Sequence, residues 1–182
     1  MKTIAFSWPW NTGKSTAIDT IAEQKRIQWH NVIVLWEIAR DAFSAVNPED
    51  MSMFQRKIYY AEEQRINEIL RMQEQEVCDI LLVDRTWADQ LAYLIFNLMR
   101  GKILTPVPVQ SMATDIYDGV IVLDTPIKQN TREEFLQYNN QELNDMIVGN
   151  AKRFFWEKAY LHSNAKDDMV WIRRSVGEIL NE

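Results

Sequence analysis

Five short apolar runs recur along the chain, separated by longer stretches in which polar and apolar residues mix. The runs span residues 4–6, 32–35, 80–83, 120–123 and 169–172. Apolar runs without alternation are typical of strands that are buried on both faces, as in a parallel sheet. Strands that alternate with helices favour a doubly wound α/β fold. We therefore predict one domain over residues 1–182, a three-layer α/β sandwich around a five-stranded parallel sheet.

The stretches between the runs carry helical spacing, and a polar residue follows each of the first four runs. Helices are predicted over residues 14–28, 48–76, 88–100 and 132–161. The polar residues at the strand ends are Ser7, Glu37, Asp84 and Asp124. In sheets of this kind ligands bind beyond the carboxyl ends of the strands. We therefore expect these four side chains to line one crevice.

Composition and charge narrow the class of protein. The chain has 182 residues, 47% of them hydrophobic, which is typical of a globular domain. Its net charge of -6 argues against a protein held on duplex DNA by phosphate neutralisation. No apolar stretch approaches the roughly 18 residues of a membrane span, and no signal peptide opens the chain. These features predict a cytoplasmic protein with no membrane partner and, with the single Cys78, no internal disulfide.

A phosphate-binding loop is predicted between the first strand and the first helix. Gly13-Lys14-Ser15-Thr16 ends the motif G-x-x-x-x-G-K-[ST], in which backbone N–H groups at a helix start face an anion. Lys14 is expected to reach the β- and γ-phosphates from a solvent-facing position, and the Ser15 hydroxyl to bind Mg²⁺. The residues expected to bind the nucleotide are Asn11, Thr12, Gly13, Lys14, Ser15 and Thr16.

The loop departs from the motif at its first position, where Trp8 stands in place of glycine. Glycine is usual at such a turn because it tolerates positive φ and close backbone packing. One interpretation is that the loop starts with an ordinary φ and the indole points away. The alternative is an altered loop that no longer binds nucleotide.

Other strand ends carry side chains suited to phosphoryl transfer. Asp84 is a candidate magnesium ligand. Arg85 beside it is a candidate to bind a phosphate or the substrate through its planar guanidinium. Glu37 could take a proton from an acceptor hydroxyl. Each has a structural alternative: a strand-end salt bridge for Asp84, and a helix cap for Glu37. Arg132 could stabilise charge from a mobile segment, or Thr131 to Glu134 could be only a capping box.

With these motifs the chain resembles the P-loop nucleoside and nucleotide kinases. It looks close to the small AAA-type ATPase and kinase family that includes ribosylnicotinamide kinase domains. It also resembles the deoxyribonucleoside kinases, whose acid-Arg-Ser motif is mirrored by Asp84-Arg85-Thr86. The resemblance implies ATP and Mg²⁺ as cofactors and a helical lid that carries Arg132. It further implies catalytic roles for Lys14, for Glu37 as base and for Arg85 near the acceptor.

Three functions fit the sequence. The first is ATP-dependent phosphorylation of a small nucleoside, nucleotide or related hydroxyl compound. The second is a P-loop ATPase or nucleotide-binding switch module without a small acceptor. The third is a kinase of a modified base in DNA, against which the net charge of -6 weighs. Helices 48–76 and 88–100 are the surfaces by which two copies could pair as a homodimer.

Overall fold

The structure is a computed structural model that describes residues 1–7, 14–38, 51–102, 115–123, 141–162 and 168–181. Five strands and five helices alternate through these ranges. In chain order they are β1 Lys2–Ser7, α1 Lys14–Ile27, β2 Val32–Leu35, α2 Met51–Glu74, β3 Ile80–Asp84, α3 Trp87–Met99, β4 Gly119–Leu123, α4 Gln141–Phe155, β5 Ala159–His162 and α5 Asp168–Leu180. None of these helices has the length and apolar character that crossing a membrane requires.

All five strands form one parallel sheet in the order β2-β3-β1-β4-β5. The predicted α/β fold with a five-stranded parallel sheet is confirmed. The central strand β1 is paired on both sides, with Phe6 opposite Asp84 of β3 and Ile121 of β4. Since β2 lies beside β3, the carboxyl ends of β1, β2 and β3 form one continuous edge.

Alternate residues of the central strands pack into two separate apolar layers. Ile4, Phe6 and Leu82 face α1 and α5 on one side of the sheet. Ala5 and Leu81 face the other side, where they pack with residues of α2, α3 and α4. Burial on both faces is why these strands are uninterrupted apolar runs. The helices lie on both sides, so the described part of the chain has the three predicted layers.

The predicted fifth strand, residues 169–172, is wrong. These residues lie in α5, where Ile172, Val176 and Ile179 are buried at spacings of four and three residues. The fifth strand is instead β5, which the sequence pattern assigned to the end of the fourth helix. A four-residue apolar run cannot be separated from a buried helical segment by periodicity alone. The helical spacing of the apolar residues can be recognised only when the stretch is extended to Ile179.

Candidate active site

The start of α1 meets the end of β3 through a buried ion pair. Nζ of Lys14 contacts Oδ1 of Asp84, and the side chains are 7% and 0% exposed. The pairing follows from the register, because Phe6 lies opposite Asp84 and α1 begins shortly after β1 ends. The expectation that Lys14 is a solvent-facing cation is therefore wrong. The strand-end salt bridge weighed for Asp84 is present, and its partner is the lysine of the phosphate-loop motif.

Asp84 is buried and remains a candidate ligand for a cation. Apart from the ion pair, neither of its carboxylate oxygens has a hydrogen-bond partner within the described ranges. A buried carboxylate with unused lone pairs is unusual and suits a divalent cation. Ser15 lies half-buried in the first turn of α1, next to Lys14. The described residues contain no cluster of three or more His, Cys, Asp or Glu for a metal, and Mg²⁺ in phosphate sites usually takes only one or two carboxylates.

A second buried ion pair joins the ends of β2 and β3. Arg85 Nε lies 2.5 Å from Glu37 Oε1, and both side chains are almost fully buried. The guanidinium also lies 5.2 Å from the centre of the Tyr93 ring. Burial opposes the charged form of Arg85, but Glu37 above all favours it, so the pKa of Arg85 is raised above its ordinary value. Arg85 is thus a fixed charge beside the Glu37 carboxylate.

Arg85 also has an unusual backbone. Its φ is +76°, in the left-handed region that residues other than glycine rarely adopt. Its N–H donates to the carbonyl of Phe6 at 3.0 Å, which extends the pairing of β3 with β1 by one residue. Such strain costs on the order of 1–3 kcal/mol and is concentrated at functional sites. The left-handed residue ends β3, and α3 begins two positions later at Trp87.

Asp89 is a further residue of the candidate site, and the motifs described above do not include it. It is fully buried, and its Oδ1 accepts the Ser7 hydroxyl at 2.5 Å. Its Oδ2 accepts the Thr86 backbone N–H at 2.7 Å, as part of a capping box. Asp89 therefore ties the end of β1 to the start of α3. The sequence signal is Thr86-x-x-Asp89 before an apolar run.

Burial raises the pKa of Asp89 above its ordinary value, and Arg85 and the bonds from Ser7 and Thr86 offset only part of this effect. A raised pKa means that the folded protein still holds a proton that the unfolded chain has lost. The free energy of unfolding therefore falls as pH rises from about 4 through the raised pKa. Burial also raises the pKa of Glu62, which contributes a slope of the same sign.

We expect Asp89→Asn to flatten this pH dependence without lowering stability at neutral pH. An asparagine amide can accept from the Thr86 N–H and donate to the Ser7 oxygen, and it does not titrate. Urea unfolding at a series of pH values between about 4 and 7 measures the slope. Asp19→Asn, an exposed carboxylate on α1, is the control and should leave the slope unchanged. If Asp89→Asn keeps the slope of the parent protein, Asp89 does not titrate in this window.

A pocket of about 370 Å³, including space open to solvent, lies between α2 and α3. Trp87 lines it, two residues after Arg85, and Glu62 lines it from α2. The full set of lining residues is Gln55, Ile58, Tyr59, Glu62, Trp87, Gln90, Leu91 and Leu94.

The structure brings together four of the predicted site residues: Lys14 with Asp84, and Glu37 with Arg85. Ser15 and Thr16 occupy the first turn of α1. The remaining predictions lie outside the described residues. They are Trp8, Asn11, Thr12, Gly13, Asp124 and Arg132 with its capping box.

Solved structures of nucleotide and nucleoside kinases share this architecture. A thymidylate kinase from Ehrlichia chaffeensis matches with a TM-score of 0.64 at 14% sequence identity, over 98% of both chains. The chain has the fold of the P-loop nucleoside and nucleotide kinases. The resemblance predicted from the motifs is thereby confirmed at the level of the fold.

A deoxyadenosine kinase from M. mycoides matches in two further structures. The one with the products dCMP and a flexible dCDP gives a TM-score of 0.60 at 14% identity, over 97% of this chain and 99% of that one. The one with dATP gives 0.52 at 11% identity, over 96% and 99%. No family model and no curated protein matches the chain.

Proposed function

We propose that this protein transfers the γ-phosphoryl group of Mg-ATP to a nucleoside, a nucleotide or a related small hydroxyl compound. One observation carries the proposal: the buried pairs Lys14–Asp84 and Glu37–Arg85 stand side by side at the carboxyl edge of a kinase-like sheet. One pair has the chemistry to hold the phosphate donor. The other has a base and a cation for the acceptor.

On the donor side, Lys14 exchanges its contact with Asp84 for the β- and γ-phosphates, with backbone N–H groups at the start of α1 completing the anion site. This exchange leaves the Asp84 carboxylate to hold Mg²⁺ together with the Ser15 hydroxyl. When bound there, Mg²⁺ would offset the negative charge that develops during transfer. The residues assigned to the nucleotide are Asn11, Thr12, Gly13, Lys14, Ser15 and Thr16.

On the acceptor side, the Glu37 carboxylate follows β2 and acts as the general base. It accepts the proton of the attacking hydroxyl. Arg85 orients Glu37 through their 2.5 Å contact and supplies positive charge near the acceptor. Arg132, in the segment after β4, neutralises charge on the transferring group. The acceptor lies toward the pocket between α2 and α3, beside Trp87.

The similar structures suggest which acceptors to test. They are a thymidylate kinase and a deoxyadenosine kinase, the latter with dCMP and dCDP bound as well as dATP. Deoxynucleosides and their 5′-monophosphates are therefore the first candidates for this chain. Tyr59, which lines the pocket and is half-buried, is an aromatic side chain on which a base can stack.

A screen of nucleosides and monophosphates tests the proposal. The protein is incubated with Mg-ATP and one acceptor at a time, and ADP release is followed. We expect ADP release that depends on at least one deoxynucleoside or its monophosphate. ADP release at the same rate without acceptor would contradict the proposal and favour the ATPase switch. If no compound causes ADP release and none occurs without acceptor, both the kinase and the ATPase are ruled out.

A further inference from the structure

A buried guanidinium links the two strands that carry the acceptor-side pair. Arg65 of α2 is 5% exposed, and its Nη1 donates to the carbonyl of Asp84 at 3.0 Å and to that of Trp36 at 3.4 Å. Its Nη2 donates to the carbonyl of Arg85 at 3.0 Å. Glu62, one helical turn earlier, accepts from the same nitrogen at 2.6 Å. One side chain thus contacts main-chain atoms at the ends of both β2 and β3.

These carbonyls lie where the regular strand pairing stops. β2 ends at Leu35 and β3 at Asp84, so the carbonyls of Trp36 and Arg85 fall beyond the strands. A buried carbonyl without a hydrogen-bond partner destabilises the folded state. A guanidinium has five N–H donors in a fixed plane, and one such group can serve several carbonyls at once. Lysine carries the same charge but not this fork.

The contact with Arg85 matters most, because Arg85 has the left-handed backbone. Its N–H is held by Phe6 of β1, and its carbonyl is held by Arg65. The strained conformation is therefore fixed from both sides of the residue. The direction of the Arg85 side chain, and with it the 2.5 Å contact to Glu37, depends on that backbone.

We propose that Arg65 is a positioning residue, which locks the ends of β2 and β3 so that Glu37 and Arg85 face the acceptor. Arg65 does this through main-chain carbonyls and does not itself touch the nucleotide. The catalytic part of this proposal rests on the proposed kinase function. The positioning part rests on the hydrogen bonds alone.

Two variants separate positioning from folding. Arg65→Lys keeps a positive charge beside Glu62 but loses the fork. The double variant Glu62→Gln/Arg65→Gln removes both buried charges, so that neither is left without its partner. Arg71→Lys, an exposed arginine later on the same helix, is the matched control. Melting temperatures are recorded for all of them.

Two measurements are made on each variant. The first is amide hydrogen exchange, in which the Arg85 N–H should exchange about tenfold faster or more, while the amides at the centre of β1 and β4 stay protected. The second is phosphoryl transfer, in which we expect kcat to fall about 10²-fold and the affinity for ATP to stay within about twofold, since misplacement by about 1 Å has that effect. Arg71→Lys should change neither quantity.

Each other outcome overturns part of the proposal. Lost transfer with unchanged exchange of the Arg85 N–H would mean that Arg65 acts by touching the acceptor. Faster exchange with parent turnover would remove the catalytic role, and loss of protection throughout the sheet would show a general stability role instead. If the parent protein transfers phosphate to no acceptor, the proposed function fails. The exchange data then decide separately whether Arg65 holds the strand ends.

Discussion

Lys14→Ala should abolish phosphoryl transfer and also lower the free energy of unfolding by about 3–5 kcal/mol, the usual cost of removing one partner of a buried ion pair. The reason for the second effect is Asp84, which is 0% exposed and would be left buried without its counter-ion. A lysine that served only to bind phosphate from a solvent-facing position would contribute almost nothing to stability. Urea unfolding and turnover of Mg-ATP with an acceptor measure the two effects on one preparation.

The double variant Lys14→Met/Asp84→Asn separates the two roles of Lys14. It removes both charges of the pair, so most of the lost stability should return. Transfer should stay absent, because the phosphate contact and the candidate magnesium ligand are both gone. A single Lys14→Ala variant that melts at the parent temperature would show that the ion pair adds no stability. One that turns over ATP at the parent rate would refute the phosphate-loop assignment.

The central strands of the sheet were predictable because a strand that is buried on both faces has an uninterrupted apolar sequence. β3 is an unbroken apolar run that ends in Asp84, since each of its apolar residues is covered by helices on one side or the other. β5 lacks such a buried apolar run. It has four residues, pairs with β4 alone at the edge of the sheet, and includes His162 and the exposed Leu161.

The site was predictable in residue types but not in partners. A motif such as Gly-Lys-Ser-Thr fixes local backbone shape, and it identified Lys14 from the sequence. The pairing of Lys14 with Asp84 depends on β1 lying in register with β3, 78 residues further along the chain, which no local pattern encodes. The sequence therefore predicts an exposed lysine where the structure has a buried one.

Arg65 shows the same limit. By spacing it lies near the buried face of α2 with Ile58 and Ile69, where an arginine looks out of place. The local sequence does not show that the Arg65 guanidinium donates hydrogen bonds to three carbonyls at the ends of β2 and β3. A charged residue on the apolar face of a helix indicates a buried hydrogen-bond network in this case. The partners of that residue become known only from the structure.

Glu37→Gln should reduce phosphoryl transfer by about 10²–10⁴-fold, the usual contribution of a general base. Glutamine keeps the size of the side chain and an oxygen that can face Arg85, but it cannot take a proton at neutral pH. The affinity for Mg-ATP should stay near that of the parent, because Lys14, Ser15 and Asp84 belong to β3 and α1 and not to β2. Transfer rates with a saturating acceptor, together with ATP binding, test both statements.

The size of the loss distinguishes a base from a residue that only orients Arg85. If Glu37 takes the proton, Glu37→Gln loses the whole contribution of a general base, although its oxygen still faces Arg85. If Glu37 only holds Arg85, the glutamine oxygen still accepts from the guanidinium, and most of the transfer rate remains. A helix cap, the alternative considered from the sequence, predicts a third result. Glu37→Gln would then cost about 1 kcal/mol of stability and leave transfer at the parent rate, and the ion pair with Arg85 would have no part in the reaction.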